Sequence, residues 1–444
     1  METNPLNPSS PVSRRHFLKS SSLAAAAAVA APAIARAQAS TPINAVVIGL
    51  GGRGSGAGRD FLEAVKITGA NGKIVAVADL FPEAAEKGTK APFNLPPDMC
   101  FSRFDGFRKA LELPGVNYAI LATPPGFRAA HFKACIEAGK NVFMEKPVAV
   151  DGPAYRMVCA AGDAAKSKNL KVAAGTQRRH RPSYIEAVKR VHDGAIGDLV
   201  ALRAYWVNTG PIWHHGDKGN TDLERQIRNW YHYIWLCGDH ICEQHVHNLD
   251  ITNWLMNDHP VKCWGMGARQ QLNGQSGEIW DNFGVEFEYA NGVRLASYCG
   301  QIRRSWASVS EAAAGAAGTA TFNDGRNVLR MKDGKTWRPT GLTADNGYVN
   351  EHRDLIQAIL DDKPLNEARQ VADSTLTAIM GREAAYSGGE VTWDEMAESK
   401  FAYGPELLYQ DCAKMEFGSF RTLQPPMPNE HNVLKDPPIL PVKA

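Results

Sequence analysis

The stretch "INAVVIGLGGRGSGAGRDFLEAV", residues 43–65, followed by "KIVAVAD", residues 73–79, constrains the fold more than any other part of the chain. A short apolar run, a glycine-rich turn, a helical stretch and a second apolar run are the parts of a βαβ unit. The crossover helix carries the chain back to the starting edge, so the two strands run parallel. The alternation continues through "VNYAILAT" (116–123), a helix around "RAAHFKACIEAG" (128–139), "NVFME" (141–145), a helix in "GPAYRMVCAAGDAAKSK" (152–168) and "KVAAG" (171–175). These strands are nearly unbroken apolar runs, as strands covered on both faces must be. Residues 42–175 therefore read as an N-terminal Rossmann dinucleotide-binding domain.

After "RPSYIEAVKRVHDGAIGD" the texture changes. Longer strands follow, "LVALRAYWV" (199–207), "VKCWGMGAR" (261–269), "DNFGVEFEY" (281–289) and "VRLASYCG" (293–300), the last two joined by the turn signal Ala290-Asn291-Gly292. Residues 176–398 read as an α+β domain with a large, mostly antiparallel, open-faced sheet, closed by helices near 349–361 and 368–386. Residues 399–444 are Pro-rich and weak in period, and read as an extended arm. With 444 residues and 44% hydrophobic content, the chain can bury a core in each of two domains.

Residues 1–39 read as an address. Arg14 and Arg15 precede Phe17-Leu18-Lys19 and an Ala-rich run, and small residues at Ala37 and Ala39 suit a signal peptidase. The segment resembles a twin-arginine export signal, which implies the twin-arginine export machinery as a partner and a periplasmic or otherwise exported mature chain beginning near Ser40. A membrane anchor is the competing reading, against which stand the shortness of the run and its Ala content. Lys plus Arg (49) nearly balance Asp plus Glu (47), so the charge gives no footing for nucleic acid or an anionic surface. The eight cysteines contain no C-x-x-C and suggest no disulfide framework.

Gly49-Leu50-Gly51-Gly52-Arg53-Gly54 fits G-x-G-x-x-G between a strand and a helix. Glycines there let backbone N–H groups approach a pyrophosphate at the positive end of a helix. Asp79 ends the second strand, 25 residues after Gly54, where a carboxylate can hold the adenosine ribose hydroxyls. An acid at that position repels a 2′-phosphate and favours NAD, while Arg53 leaves NADP open.

"LATPPGFRAAHFKACIEAGKNVFMEKPVAV" (121–150) resembles the Gfo/Idh/MocA family, the glucose-fructose oxidoreductases and inositol dehydrogenases. The matching features are a strand ending in Thr-Pro, a helix beginning near His, "AGK", a strand and Glu-Lys-Pro, and the likeness runs from residue 43 to about 300. By that resemblance Lys146 lies beside the nicotinamide and the substrate hydroxyl, and Thr123, Pro125, His131 and Glu145 face the cofactor. The residue type suits the role: removing a hydride from a carbinol requires loss of the hydroxyl proton, and a cation beside the oxygen stabilises the developing alkoxide. A lysine's ordinary pKa of roughly 10.4 makes it a poor base, so burial beside a positive nicotinamide is expected to lower it. The plain alternative is a surface lysine on a turn.

"GDHICEQHVHNLDITNWLMND" (238–258) holds His240, Glu243, His245, His247 and Asp250. A helix starting near Glu243 would place Glu243, His247 and Asp250 on one face. The family carries Asp-x-x-x-His here, an acid that orients substrate and a histidine base. Glu243 and His247 match the spacing with a longer acid, and an ordinary imidazole pKa of about 6.5 suits proton transfer. A zinc site and simple helix capping are the rival readings, and neither metal nor metal ligand is assigned. "GTQRRHRPSY" (175–184) resembles the segment that brings an arginine to the ligands, so Gln177 is assigned to the cofactor and Arg179 to the substrate. In "TGPIWHHGDKGNTDLERQIRNWYHYIW" (209–235), Trp213, His214, Trp230 and Tyr231 suit a sugar pocket or, equally, a core or an interface.

Together these readings predict an NAD(P)-dependent oxidoreductase acting on a hydroxyl of a sugar, sugar derivative or cyclitol, with tightly bound, recycled NAD. A redox-neutral glycoside hydrolase or epimerase that oxidises transiently needs the same residues, and a non-catalytic sugar and dinucleotide sensor is the third reading. The family tends to pair through its second-domain sheet, which implies a homodimer or homotetramer.

Overall fold

The computed structural model describes residues 42–209, 215–272, 276–342 and 345–435. The export signal, Trp213 and His214 lie outside the described residues. Six strands, β1 (Ile43–Ile48), β2 (Gly72–Asp79), β3 (Cys100–Ser102), β4 (Tyr118–Leu121), β5 (Asn141–Met144) and β6 (Val172–Ala174), form one sheet in the order β3-β2-β1-β4-β5-β6. Every pairing in it is parallel. The order reverses between β1 and β4, and a crevice opens at the carboxyl ends of strands where such a reversal occurs. The expected helices are Gly52–Thr68, Pro125–Glu137 and Gly152–Ser167.

One layer of this first sheet comes from far along the chain. The helix Gly347–Leu360 lies beside Gly52–Thr68, and its Val349, Leu355 and Ile356 share a core with Ile43, Ala45, Val47 and Phe61. That placement carries Tyr348 to the mouth of the crevice.

The second sheet has nine strands: β7 (Leu199–Asn208), β8 (Pro260–Ala268), β9 (Asn282–Tyr289), β10 (Arg294–Gln301), β11 (Ser308–Gly315), β12 (Gly318–Phe322), β13 (Val328–Met331), β14 (Thr336–Trp337) and β15 (Val391–Thr392). Their order is β14-β13-β12-β11-β7-β10-β9-β8-β15, antiparallel except for β7 with β10. The four runs read as strands are β7 to β10. Side chains of β9 alternate strictly between buried and half-buried, because one face packs on the helix Ala368–Ser387, with Tyr289 also donating to Asn253 (2.8 Å) of the helix Val246–Met256. The other face leaves Met266 and Tyr298 exposed, with Trp306 of the loop after β10 packed edge-on against Tyr205 beside them.

The arm differs from a free extended tail. It forms a short helix, Glu406–Asp411, and a 3₁₀ turn, Cys412–Lys414, and then runs without regular structure along the body. Main-chain and side-chain bonds fix it: Tyr409 to Asp151, Gln226 to the Arg421 carbonyl (2.9 Å), the Leu423 amide to Glu278 (2.8 Å) and the Trp280 indole to the Pro426 carbonyl (3.1 Å). All eight cysteines are unpaired, and no described helix is long and apolar enough to cross a membrane.

Candidate active site

The glycine turn shows why no other residue would do at two of its positions. Gly49 has φ +91°, and a Cβ there would stand 2.6 Å from the Thr123 amide nitrogen, while a Cβ on Gly54 would stand 1.7 Å from the Gly49 carbonyl oxygen. Both contacts are too short for any side chain. Gly51 and Gly52 face open space instead, with nothing within 4 Å of a built Cβ. No side chain caps this end of the helix Gly52–Thr68 and no acid sits in its first turn. The first amides and the positive end of the helix dipole are thus left for an anion, which is the cradle a pyrophosphate requires.

Asp79 lies beside this cradle. Its carboxylate accepts from the amides of Leu50 (2.7 Å) and Phe81 (3.0 Å), and burial pushes its pKa up against those two bonds. Arg53 points the other way, to Glu145 (2.7 Å) and Asp60 (2.6 Å), with its guanidinium 4.8 Å from the centre of the Tyr348 ring. The arginine that left NADP open is therefore engaged with carboxylates of its own.

A cleft of about 660 Å³ runs from here to the second sheet. It gathers Gly49, Gly51, Gly52, Arg53, Asp79, Thr123, Pro125, His131, Glu145, Lys146, Trp230, Glu243 and His247 from the sequence reading. At its centre Lys146 donates to the Glu243 carboxylate (3.0 Å) and also to the Glu243 carbonyl, both side chains being only 11% exposed. Burial raises the Glu243 pKa, and Lys146 opposes the shift. His247 stacks on Trp206, with ring centres 5.7 Å apart and planes 20° apart. Burial first, then the positive charges of Lys146 and Arg178, push its pKa well below the ordinary imidazole value. The expected base near 6.5 is thus a neutral imidazole with little affinity for a proton.

The segment that carries these groups is not one helix. Gly238 and Asp239, with φ of +76° and +69°, start a short helix, Asp239–Glu243, and a second helix begins at Val246. The break at Gln244 and His245 separates the predicted common face. Glu243 and His247 reach the cleft, whereas Asp250 is buried with Arg179, Ser374 and Gln370. His240 bonds Tyr231 and Gln301, and His245 bonds Ser297 (2.7 Å). Among the described residues no cluster of metal-ligating side chains forms.

Three more candidates lie away from the cleft. Arg179 pairs with Asp250 at 2.9 Å, Tyr231 is buried against His240, and Gln177 packs under the start of the helix Gly347–Leu360, where its carbonyl would stand 2.2 Å from a Cβ on Gly347. The lining also includes residues the sequence reading passed over: Arg128, Trp206, Gln244, Tyr348 and, at the Asp79 end, Phe81, Arg103, Phe104 and Arg228. Arg128 is buried and binds the carbonyls of Glu145 and Thr123, tying together the turns after β5 and β4; burial lowers its pKa to about 10. Thr123 bonds His131 (3.2 Å), whose pKa burial lowers to about 3.

Residues 43–176 match the oxidoreductase family with an NAD-binding Rossmann fold, and residues 184–320 match the GFO/IDH/MocA C-terminal domain. Residues 11–32 match a twin-arginine translocation signal sequence. The chain is 23% identical over 253 residues to an inositol 2-dehydrogenase/D-chiro-inositol 3-dehydrogenase of Lactiplantibacillus plantarum, covering 56% of this chain and 62% of that one. It is 31% identical over 239 residues to a levoglucosan dehydrogenase of Pseudarthrobacter phenanthrenivorans, covering 50% and 56%. The matched region thus spans less than two thirds of either relative. In structure it resembles a levoglucosan dehydrogenase in complex with NADH and levoglucosan, with a TM-score of 0.65 at 18% identity over 79% of this chain and 99% of that one. An aldose-aldose oxidoreductase from Caulobacter crescentus shares the fold at a TM-score of 0.63 and 18% identity, over 79% of this chain and 99% of that one.

Proposed function

Because the chain belongs to the Gfo/Idh/MocA oxidoreductase family, we propose that it oxidises a secondary hydroxyl of a sugar, sugar derivative or cyclitol at Lys146, Glu243 and His247. The observation that carries this reading is the meeting of those three side chains in the cleft that the glycine turn and Asp79 also line. Bound NAD supplies the hydride acceptor. The carbinol C–H leaves with its electron pair, the O–H proton leaves separately, and a carbonyl remains.

This chain's residues handle the oxygen and the proton. The Lys146 ammonium, held by Glu243, faces the oxygen on which negative charge develops. His247 is neutral and hydrogen-bonds the hydroxyl. Burial and the nearby cations depress its proton affinity and make it a poor resting place for the proton, while the neighbouring Glu243 carboxylate, whose pKa burial raises, can accept it.

We also propose that NAD is carried out of the cytoplasm bound and stays bound, the hydride taken from one sugar being passed on to reduce a second sugar or returned to the same one. The match at 11–32 supports export, and outside the cytoplasm a cofactor released each turnover would be lost. Periplasmic residence belongs to the same reading. One observation favours a second, redox-neutral reading as a glycoside hydrolase or epimerase: a carboxyl of raised proton affinity beside a lysine suits removal of a carbon-bound proton next to a transient carbonyl. The exposed Met266, Tyr298 and Trp306 on one face of the second sheet support self-association through that face.

The test is a panel of sugars, glycosides and cyclitols added to the purified protein with NAD, followed at the reduced nicotinamide band and by product analysis. Turnover of any member is expected. A protein that binds NAD and leaves the whole panel unchanged is a sensor, and the proposal fails.

A further inference from the structure

Asp79 marks the adenosine end of the cleft, since a carboxylate at the end of β2 is where the ribose hydroxyls are held. The walls beside it are Leu80 and Phe81 after β2, and Arg103, Phe104 and Phe107 after β3. These belong to the first domain. Two segments from elsewhere in the chain meet the same walls. From the helix Asp222–Arg228, Arg228 lies 3.9 Å from the centre of the Phe81 ring and pairs with Glu83 at 2.8 Å. From the arm, Phe417 stacks on Phe81 with ring centres 6.0 Å apart and meets Phe104 edge-on at 5.2 Å.

The two segments hold each other as well as the wall. The Leu223 amide donates to the Gly418 carbonyl (3.1 Å), and the Gln226 carboxamide donates to the Arg421 carbonyl (2.9 Å). A second tie to the first domain comes from Asp411, which pairs with Arg108 at 2.6 Å, next to Cys412 on the cleft lining. Helix and arm thus form one unit that bridges from the second domain to the rim of the nucleotide cleft. The bridging groups are only partly buried: Phe417 is 40% exposed, and the Arg228 side chain 29%. Contacts of this kind are individually worth little and open on their own timescale, which is what a closure that must admit its ligand once needs.

We infer that the helix Asp222–Arg228 and the arm around Phe417 form a strap that closes the adenosine end of the cleft and sets how slowly the dinucleotide leaves. The inference rests on the reading of the cleft as an NAD site with a retained cofactor. It assigns Arg228 and Phe417, neither of them near Lys146 in the chain, as cofactor-retaining residues.

The experiment uses the full mature chain and 1,N6-etheno-NAD, whose fluorescent base sits at the adenosine end. Release is followed after mixing the loaded protein with excess NAD, and acrylamide quenching reports exposure of the base. Phe417→Ala and Arg228→Ala are each expected to speed release about tenfold and to raise quenching, and Phe417→Tyr to restore both. Melting temperatures keep a misfolded variant from counting as a release effect. Wild-type release rates and quenching in folded Phe417→Ala and Arg228→Ala variants would overturn the strap while leaving the dinucleotide site intact. A wild-type protein that binds no etheno-NAD at all would instead overturn the reading on which the strap rests.

Discussion

The two ends of the cleft are built by different means. At the Lys146 end the groups are charged, buried and paired, and they come from the turn after β5 and from the short helix Asp239–Glu243. At the Asp79 end the walls are aromatic, and closure comes from partly exposed contacts with the helix Asp222–Arg228 and the arm. Buried ion pairs hold a geometry because unpairing either charge inside the protein is costly. Rim contacts cost little to break. The difference teaches that the proposed reacting groups sit in a rigid end and the proposed closure in a loose one, so changes at each end should move different quantities.

The largest effect is expected at the first end. Lys146→Ala should lower kcat by roughly 10²- to 10⁴-fold, with NAD affinity changed little, as titration and steady-state rates would register. A matching loss of NAD affinity would erase the contrast. At the second end, Asp79→Ala should weaken NAD about 10- to 100-fold by removing hydrogen bonds to a charged acceptor, and kcat at saturating NAD should stay close to wild type. Calorimetric titration beside saturated rates decides it.

A smaller effect concerns pH. His240 is neutral in the fold, its pKa lowered to about 4 by burial, so it takes a proton at mildly acid pH only in the unfolded chain. Its contribution is full above the ordinary imidazole pKa and is lost as the pH falls through it, at most about 2 kcal/mol at pH 5. Glu278 and Glu311, raised to about 7, act in the opposite sense and contribute stability as the pH falls from 7 toward the ordinary carboxylate range. His240→Gln should therefore lose less stability than wild type between pH 8 and pH 5 in denaturant titrations. An identical pH slope would mean that the buried imidazole is not what the acid side senses. The smallest effect on catalysis belongs to Arg179→Ala: it strips Asp250 of its cation, so the melting temperature should fall while kcat holds.

That last variant also marks the limit of what the sequence shows. The glycine turn, Asp79 and Glu145-Lys146-Pro147 are legible because each is a local pattern at a strand end, where the fold leaves little freedom. Arg179 is not, because Gln177–His180 is one turn of 3₁₀ helix and adjacent residues on it face different ways. Arg178 turns to Glu311 and lies over Trp206, while Arg179 turns to Asp250. The expected single helix through Glu243 and Asp250 fails for a backbone reason, the left-handed pair Gly238 and Asp239 and the break after Glu243. Strands β11 and β12 lie in "SVSEAAAGAAGTATF", whose alanines and glycines have little strand preference of their own; β11 pairs on the edge that β7 offers, and β12 on β11. The docking of the arm depends on residues hundreds of positions away, such as Asp151 and Gln226, and leaves no local trace.

The central claim, that this cleft moves a hydride from a carbohydrate carbon to NAD under the control of Lys146, is tested most directly by isotope transfer. The protein is incubated with NAD and a panel of C-deuterated sugars and cyclitols, then denatured, and the dinucleotide is weighed by mass spectrometry. Sampled at timed intervals, wild-type protein is expected to yield dinucleotide carrying deuterium from at least one member of the panel, and Lys146→Ala to gain the label roughly 10²- to 10⁴-fold more slowly. Unlabelled dinucleotide throughout from a wild-type protein that binds NAD, or labelling of the Lys146→Ala variant at the wild-type rate, would contradict the account.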